Sequence, residues 1–400
     1  RVASTHFLLS GKVFELSRPT FALTVSSDDT NYRELIGELG YSNNIQKARI
    51  SSTGRFRASI TGTAKSPSVS FVISAPHIAY DGWAGHSVVA EGTYSKGQVE
   101  ISRLRAESSG GIVTGVGKVR FSGNPKMAFR GQVNDAILSQ VPVLQRQVEG
   151  KTSGSLYVSY GNDGIRVEYQ GLADKGRFRR YGFSDGRIDL GYVNGKLSIR
   201  KSSARVLGGT LTGTGDIEHG NMNLRLSGSG INLAYLKDLF WSTTTVGRLN
   251  FEGEVTGSFK SPIFEGSVEC ERVMISDMGF QHLAASITLR RDRLGIHELS
   301  IRESEEEDLG SIRASGYIQN PFAKVPSLDL HIEADSIDAG GLGLLSHNAV
   351  PFTGLLFANV DVLGSTRYPR VKGEIGLREG YYQEVPIDTC SARIAYDGGR

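Results

Sequence analysis

The sequence predicts an all-β fold: an elongated, curved sheet of mostly antiparallel strands, with a few short helices between repeated groups of strands. Three observations predict it. Apolar and polar residues alternate along many segments, hairpin turns separate these segments, and glycine is abundant, with 50 among 400 residues. Alternation gives a strand one apolar and one polar face, because successive side chains point to opposite sides. A glycine surplus in a folded chain indicates many tight turns.

The alternating segments supply the predicted strands. Leu328, Leu330 and Ile332 alternate with polar residues, and the other strand-like segments show the same pattern. The pattern assigns the following side chains to the apolar side of the sheet: Phe71, Ile73, Phe129, Val133, Val158, Val167, Leu190, Leu197, Leu226, Leu249, Phe251, Val255, Ile287, Leu289, Leu328, Leu330, Ile332, Leu356, Val360, Ile375 and Ile394.

The turns indicate that neighbouring strands are antiparallel. Asn194-Gly195 separates two strand-like segments, and both central residues of a type I′ turn need positive φ, which these residue types tolerate. The sequence 162–164 (Asn-Asp-Gly) joins two further segments in the same way. Such hairpins connect antiparallel neighbours.

Helical patterns are few and short. They cover residues 31–36, 136–144, 232–240 and, most weakly, 337–345. The four segments recur at intervals of about a hundred residues, which indicates an internal repeat.

A glycine-led strand follows each predicted helix and supports the same repeat. The leading residues are Gly54, Gly154, Gly247 and Gly354, and three of the four copies then carry a Gly-[Ser/Thr]-x-[Lys/Arg]-x-Pro turn. The predicted organisation is therefore a partial repeat at 1–53, repeats at 54–153, 154–246 and 247–353, and a truncated repeat at 354–400.

Composition and motifs argue against an enzyme, a metal protein or a nucleic-acid-binding protein. The net charge is +3 with both signs mixed, and the two cysteines, Cys270 and Cys390, are far apart in the chain. Gly182 to Gly186 matches G-x-S-x-G, but a strand follows it where a nucleophile elbow needs a helix, so a β-turn is expected. We expect no catalytic residue, no metal ligand and no cofactor. The acidic run 303–308 is expected to be a solvated loop.

Nothing in the sequence predicts a segment that spans a membrane. The longest weakly polar stretch, 349–360, is too short to cross a bilayer. The chain starts at Arg1 without a signal-like segment, and we interpret it as an internal fragment of a longer protein.

The repeat motifs resemble those of the TamB/AsmA-like family of bridge-like lipid-transfer proteins. The likeness rests on the glycine-led strand, the G-[ST]-x-[KR]-x-P turn, a further Gly-x-Val strand at Gly266, and the aliphatic run from Leu283 to Ile301; it covers about 54–400. The resemblance implies a repeating β-groove, a taco-like trough in which acyl chains lie. It also implies a periplasmic location in a didermic bacterium, an inner-membrane anchor outside this chain, and an outer-membrane barrel protein as a partner.

Sequence alone leaves three ways to cover the apolar side of the sheet: a sandwich, a solenoid or a trough. Modest aliphatic side chains favour a trough with room for a ligand, although they also suit a thin sandwich core. In the trough, the apolar side chains named above line a groove for phospholipid acyl chains, and the protein is a non-enzymatic conduit between inner and outer membranes. The alternatives are an assembly scaffold for outer-membrane proteins, as a component of a translocation and assembly module, and an adhesin-like β-repeat.

A basic residue recurs in the repeated turn, at Lys65, Lys260 and Arg367. Two interpretations stay open. The cation meets lipid phosphates at the rim of the groove, or it is a solubilising charge on a turn.

Overall fold

The computed structural model describes residues 5–15, 17–36, 53–80, 83–120, 126–140, 148–162, 164–178, 180–236, 245–275, 278–304, 310–339, 352–382 and 385–398. Within them the chain forms 23 strands of one antiparallel sheet, in which paired strands are neighbours in the sequence. The prediction of an all-β, antiparallel chain with a few short helices is confirmed.

The chain divides into two compact units, residues 1–202 and 203–400. The first contains β1 to β11 and most of β12: Leu8–Phe14, Thr20–Asn31, Thr53–Thr63, Ser66–Tyr80, Trp83–Ser95, Gln98–Ser108, Gly111–Arg120, Lys126–Ile137, Val148–Gly161, Gly164–Phe178, Tyr181–Val193 and Lys196–Val206. The second contains β13 to β23: Gly209–Glu218, Asn221–Asn232, Thr245–Ser258, Ser261–Ile275, Met278–Leu289, Arg293–Arg302, Ser311–Gln319, Ser327–Asp338, Phe352–Ser365, Tyr368–Tyr382 and Val385–Asp397.

One β-bulge recurs every sixth strand and defines the repeat. Two residues of one strand lie opposite a single residue of the next at β2/β3, β8/β9, β14/β15 and β20/β21. The residue that pairs immediately after the bulge is Gly54, Thr152, Leu249 or Leu356, so the copies recur about once in every hundred residues. Six strands and one short helical segment therefore form each repeat.

The strand register gives a different alignment of the repeats from the one that the leading glycines of the sequence predict. Relative to the bulge, Gly54 and Gly154 do not occupy equivalent positions; Gly150, Gly247 and Gly354 do, each two positions before the pairing residue. Their φ angles are 132°, 159° and 128°, within or at the edge of the range that favours glycine. In this alignment, Lys65, Lys260 and Arg367 each lie the same number of residues after the residue that pairs immediately after the bulge. The repeated turn therefore recurs at one fixed position in the repeat.

The described helical segments are shorter than the sequence patterns predict. An α-helix, α1, covers Tyr32–Ile36, and 3-10 helices cover Leu138–Gln140 and Leu233–Leu236. The prediction that a helix begins at 31, 136, 232 or 337 is wrong at these positions. Each of these residues still pairs with the next strand: Asn31, Ala136, Asn232 and Ile337. The rest of these predicted helices, from 141, 237 and 340 onward, lies outside the described residues.

Buried side chains concentrate at the helical end of the strands. The residue after each bulge is buried (Thr30, Ala136, Ile231 and Ile337), and so is the residue two positions later (Tyr32, Leu138, Leu233 and Ala339). A third buried position recurs on the following hairpin, at Ala75, Ala173, Cys270 and Leu377. Burial raises the pKa of Tyr32 to about 12, and its hydroxyl donates to the Arg55 carbonyl at 2.5 Å. Each repeat thus has its own small core at one end.

The G-x-S-x-G motif lies within a strand. Gly182 to Gly186 lies inside β11, so the predicted β-turn is wrong there, and no helix follows as a nucleophile elbow requires. Asp185, within this motif, has φ of 51°, a local irregularity of the strand. In the acidic run, residues 305–308 lie outside the described part of the chain.

Candidate functional site: an apolar face on each unit

Cross-strand register places apolar side chains on one face in unit 1. Directly paired residues share a face of the sheet, so a row can be followed from strand to strand. One row runs Val25, Ala58, Phe71, Gly92, Ile101, Gly117, Phe129, Val158, Val167. A second row lies next to the first on the same face. It includes Phe56, Ile73, Ala90, Leu104, Leu156, Tyr169 and Leu190.

Unit 2 has the same arrangement. One row runs Leu226, Gly253, Gly266, Ile287, Ile296, Gly316, Leu330, Val362, Val371. The adjacent row on that face runs Phe251, Val268, Ala285, Leu299, Ala314, Ile332, Val360, Gly373, Ile394. Each row crosses nine strands, and together the two rows extend the apolar face over ten strands, β14 to β23.

Nearly all of the predicted lining residues lie on the apolar face. The register places all of them except Leu197 on the apolar face of their own unit, and Leu197 is half-buried in β12. Val133 and Val360 are buried, and the others are half-buried. Because their burial is mostly partial, these side chains lie against their sheet neighbours, and no second layer of described residues covers them. The described helical segments, of three to five residues, are too short to supply such a layer.

Glycines on the apolar face make room for aromatic rings, a feature that the sequence analysis missed. The ring of Phe71 lies over Gly92, where an added Cβ would be 2.8 Å from Cζ of that ring. The rings of Phe129, Phe251 and Phe264 lie over Gly115, Gly228 and Gly253 of the neighbouring strands in the same way. A phenyl ring that lies on a neighbouring glycine covers the backbone and does not project from the sheet. The aromatic residues therefore line the space above the face without filling it.

The opposite face carries the charged side chains in both units, with scattered exposed apolar ones such as Val72, Val116 and Leu363. In unit 2, Arg225 Nε and Glu254 Oε1 are 2.9 Å apart, and His331 Nδ1 is 2.9 Å from Asp361 Oδ1. The hydrogen bonds of His331 with Asp361 and then with Glu333 raise the pKa of its imidazole. In unit 1, Arg200 Nε donates to Asp189 Oδ1 at 2.8 Å. This segregation of charge leaves one face of each unit suited to apolar ligands.

A shallow depression of about 670 Å³ lies on the polar face of unit 1. Gln132, Ser155 and Gln170 line it, together with Arg130 and Glu168. The hydrogen bond from Arg166 lowers the pKa of the Glu168 carboxyl, so this carboxylate is already paired. We therefore do not assign the depression as the site.

Comparisons with family models, with curated proteins and with solved structures found no match to the chain. The likeness to the TamB/AsmA-like family consequently stays a prediction from the motifs. None of the described helices is long and apolar enough to cross a membrane. The parts of the chain that the structure describes hold no group of three or more His, Cys, Asp or Glu side chains placed to bind a metal ion.

Proposed function

We propose that the apolar face of each unit binds the acyl chains of phospholipids, and that the protein is a non-enzymatic lipid conduit. The observation that carries this proposal is the half-buried apolar face, continuous over many strands and without a covering layer among the described residues. Exposed apolar surface of this extent is unfavourable in water by about 25 cal/mol per Å². An acyl chain laid on it removes that cost, and the attraction is non-directional, which permits sliding.

The resemblance supplies the setting of the proposal. It is the periplasm of a didermic bacterium, where an inner-membrane-anchored protein would carry phospholipids toward the outer membrane. Since the headgroup is polar, we place it outside the apolar face, at the ends of the strands, where turn residues are exposed. This conduit requires no catalytic residue, metal ion or cofactor.

Native mass spectrometry of the purified chain tests lipid binding directly, because co-purified phospholipid adds a characteristic mass. The Leu330→Glu and Phe251→Asp variants place a carboxylate on the apolar face of unit 2. We expect them to lose bound lipid and lipid transfer between vesicles while circular dichroism shows a folded chain. Leu363→Glu is the matched control, because Leu363 lies one strand away on the opposite face.

A crosslinking version of the experiment does not depend on how well a charged variant folds. A photoreactive phenylalanine analogue at Leu330 should crosslink to radiolabelled phospholipid, and the same analogue at Leu363 should not. Equal lipid labelling at both positions, or normal transfer by a folded Leu330→Glu protein, would exclude the conduit.

The assembly scaffold is the second candidate. In β1, Leu8 and Leu9 are 75% and 65% exposed, and the strand pairs only with β2 among the described strands. Such an edge can accept a strand from an outer-membrane protein, since the free N–H and C=O groups act as a template. Crosslinks from β1 to a barrel protein, together with no lipid at Leu330, would favour this candidate over the conduit.

A further inference from the structure

Unit 2 has a row of hairpin turns at one end of its strands, here called the hairpin rim. It consists of residues 218–221, 258–261, 289–293, 319–327 and 365–368, which connect β13/β14, β15/β16, β17/β18, β19/β20 and β21/β22. Alternate connections of an antiparallel meander lie at the same end. Because neighbouring strands are about 4.8 Å apart, successive turns of the rim are about 10 Å apart.

The hairpin rim carries a surplus of positive charge. Its basic residues are Lys260, Arg290, Arg291, Arg293, Lys324 and Arg367, and its acidic residues are Glu218 and Asp292, so six positive and two negative charges leave a net of +4, in a chain whose total is +3. This is a local concentration, because the rest of unit 2 mixes both signs on its polar face. Cations in such a row attract anionic lipid surfaces, and each contributes separately to binding.

Large apolar side chains are exposed beside these cations. Phe259, Phe322 and Tyr368 are 63%, 61% and 59% exposed at the turns, and Val325 is 43% exposed. Phe259 precedes Lys260, and the Arg367 guanidinium lies 5.6 Å from the centroid of the Tyr368 ring. An exposed phenyl ring does not make a turn more soluble, so solubility alone does not account for these residues. Aromatic side chains next to basic ones are typical of groups that sit at the membrane–water interface.

Three of the turns are held together by backbone hydrogen bonds. Asn320 N donates to Asp292 O at 2.6 Å, and Thr366 N donates to Pro326 O at 3.0 Å. Within the longest turn, Ala323 N donates to Asn320 O at 2.9 Å, and Pro321 and Pro326 are buried. These bonds fix the tips of the three turns 289–293, 319–327 and 365–368 relative to one another, so these three turns present their cations and rings as one surface.

We propose that the hairpin rim of unit 2 docks on the surface of an anionic phospholipid bilayer. The six cations contact headgroup phosphates, while Phe259, Phe322, Val325 and Tyr368 insert at the level of the headgroups. Cations that served only the headgroups of lipids carried on the apolar face would not need exposed rings at the tips. The docking proposal does not rest on the proposed conduit function, because a bilayer contacts the rim and acyl chains contact the face.

Vesicle co-sedimentation of the full chain tests the proposal. We expect binding to vesicles that contain phosphatidylglycerol, weak binding to pure phosphatidylcholine, and a loss of binding at high salt. The variant Lys260→Gln/Arg291→Gln/Lys324→Gln/Arg367→Gln should weaken binding to the anionic vesicles by about two to three orders of magnitude. The matched control, Arg248→Gln/Arg313→Gln/Lys372→Gln/Arg393→Gln, removes the same charge from exposed strand positions and should bind as the unchanged protein does.

The apolar part of the rim needs its own variant. Phe259→Ser/Phe322→Ser keeps every charge and should weaken binding by about tenfold or more, because the rings no longer insert. In Phe259→Trp, the added indole fluorescence should shift to shorter wavelength with the anionic vesicles, and brominated lipid should quench it.

Three outcomes would overturn the docking proposal. They are no binding of the unchanged protein to phosphatidylglycerol vesicles, equal losses for the rim and control variants, and loss of co-purified lipid from the rim variant with vesicle binding intact. The last result would assign the rim cations to headgroups of carried lipid. Rim variants that lose vesicle binding but keep co-purified lipid would support docking, and failure of docking with lipid still bound would leave the conduit in place.

Discussion

At the scale of single residues, glycine on the apolar face acts together with the aromatic ring on the neighbouring strand. Gly228 and Phe251 are directly paired across β14 and β15, and a Cβ at 228 would overlap the ring of Phe251. Glycine normally weakens a strand, and it is retained where another group approaches closely. Here the approaching group is a ring that lies down on the backbone, which explains part of the glycine surplus without invoking a turn.

Gly228→Ala should destabilise the protein by about 1–3 kcal/mol, because the added methyl forces the Phe251 ring away from its position. In a Phe251→Leu background the same change should cost much less, so the two substitutions should couple in a double-mutant cycle. Urea unfolding of the four proteins measures this coupling. Gly279→Ala is the control, since nothing lies within 4 Å of a Cβ at 279; additive costs at 228 and 251 would contradict the ring-on-glycine arrangement.

At the scale of the elements, each six-strand repeat has a small core of buried side chains beside the recurring bulge. The bulge at β20/β21 brings Ile337 to 1% exposure, in one cluster with Leu233, Cys270, Val273, Phe280 and Ile301. Beyond this end the same strands carry half-buried side chains. Each repeat is thus anchored at its helical end and open along the rest of its apolar face.

Ile337→Ala should cost about 2–5 kcal/mol of stability, because it leaves a cavity in that cluster. Leu363→Ala, at a position 38% exposed on the polar face of the neighbouring strand, should cost far less. Urea unfolding of the full chain, followed by circular dichroism, compares the two. Similar costs would mean that the helical end is not where unit 2 is packed.

Period-two alternation predicted the strands and their faces well, because burial of one face imposes it directly. It placed Leu330 and Ile332 correctly on the same face as their cross-strand partners. The bulges could not be predicted, because Asp335-Ser336 has the composition of an ordinary loop and disrupts pairing only in the folded sheet. Ile337, the residue that follows, was therefore predicted as helical although it pairs with Leu356.

The rim shows a different limit of the sequence. The cation that recurs in the repeated turn, at Lys65 in unit 1 and at Lys260 and Arg367 in the rim, is visible in the sequence as a motif, but the motif leaves its interpretation open. The signal that favours bilayer docking is the exposed ring beside the cation, at Phe259 and Tyr368, and exposure is a property of the fold. An aromatic residue in a turn sequence could equally have packed inward.

At the scale of the whole molecule, both units combine many strands with few large side chains that are fully buried. Among the described residues, the largest side chains that are less than 2% exposed are those of Ile337 and Val273, and none of them is aromatic. A protein of 400 residues that packed two sheets together would bury far more of its apolar surface. A ligand that covered the half-buried faces would therefore raise the free energy of unfolding.

A lysophospholipid below its micellar concentration should therefore stabilise the chain. A ligand that binds only the folded state adds RT ln(1 + [L]/Kd), about 2.7 kcal/mol when its concentration is 100 times Kd. We expect Tm to rise with ligand concentration in the unchanged protein and in Leu363→Glu, and to rise less in Leu330→Glu, because only Leu330 lies on the apolar face. The lysolipid should also displace a fluorescent apolar dye from the first two proteins. If the faces were closed by their own packing, the dye would not bind and Tm would not respond, whichever residue carried the added carboxylate.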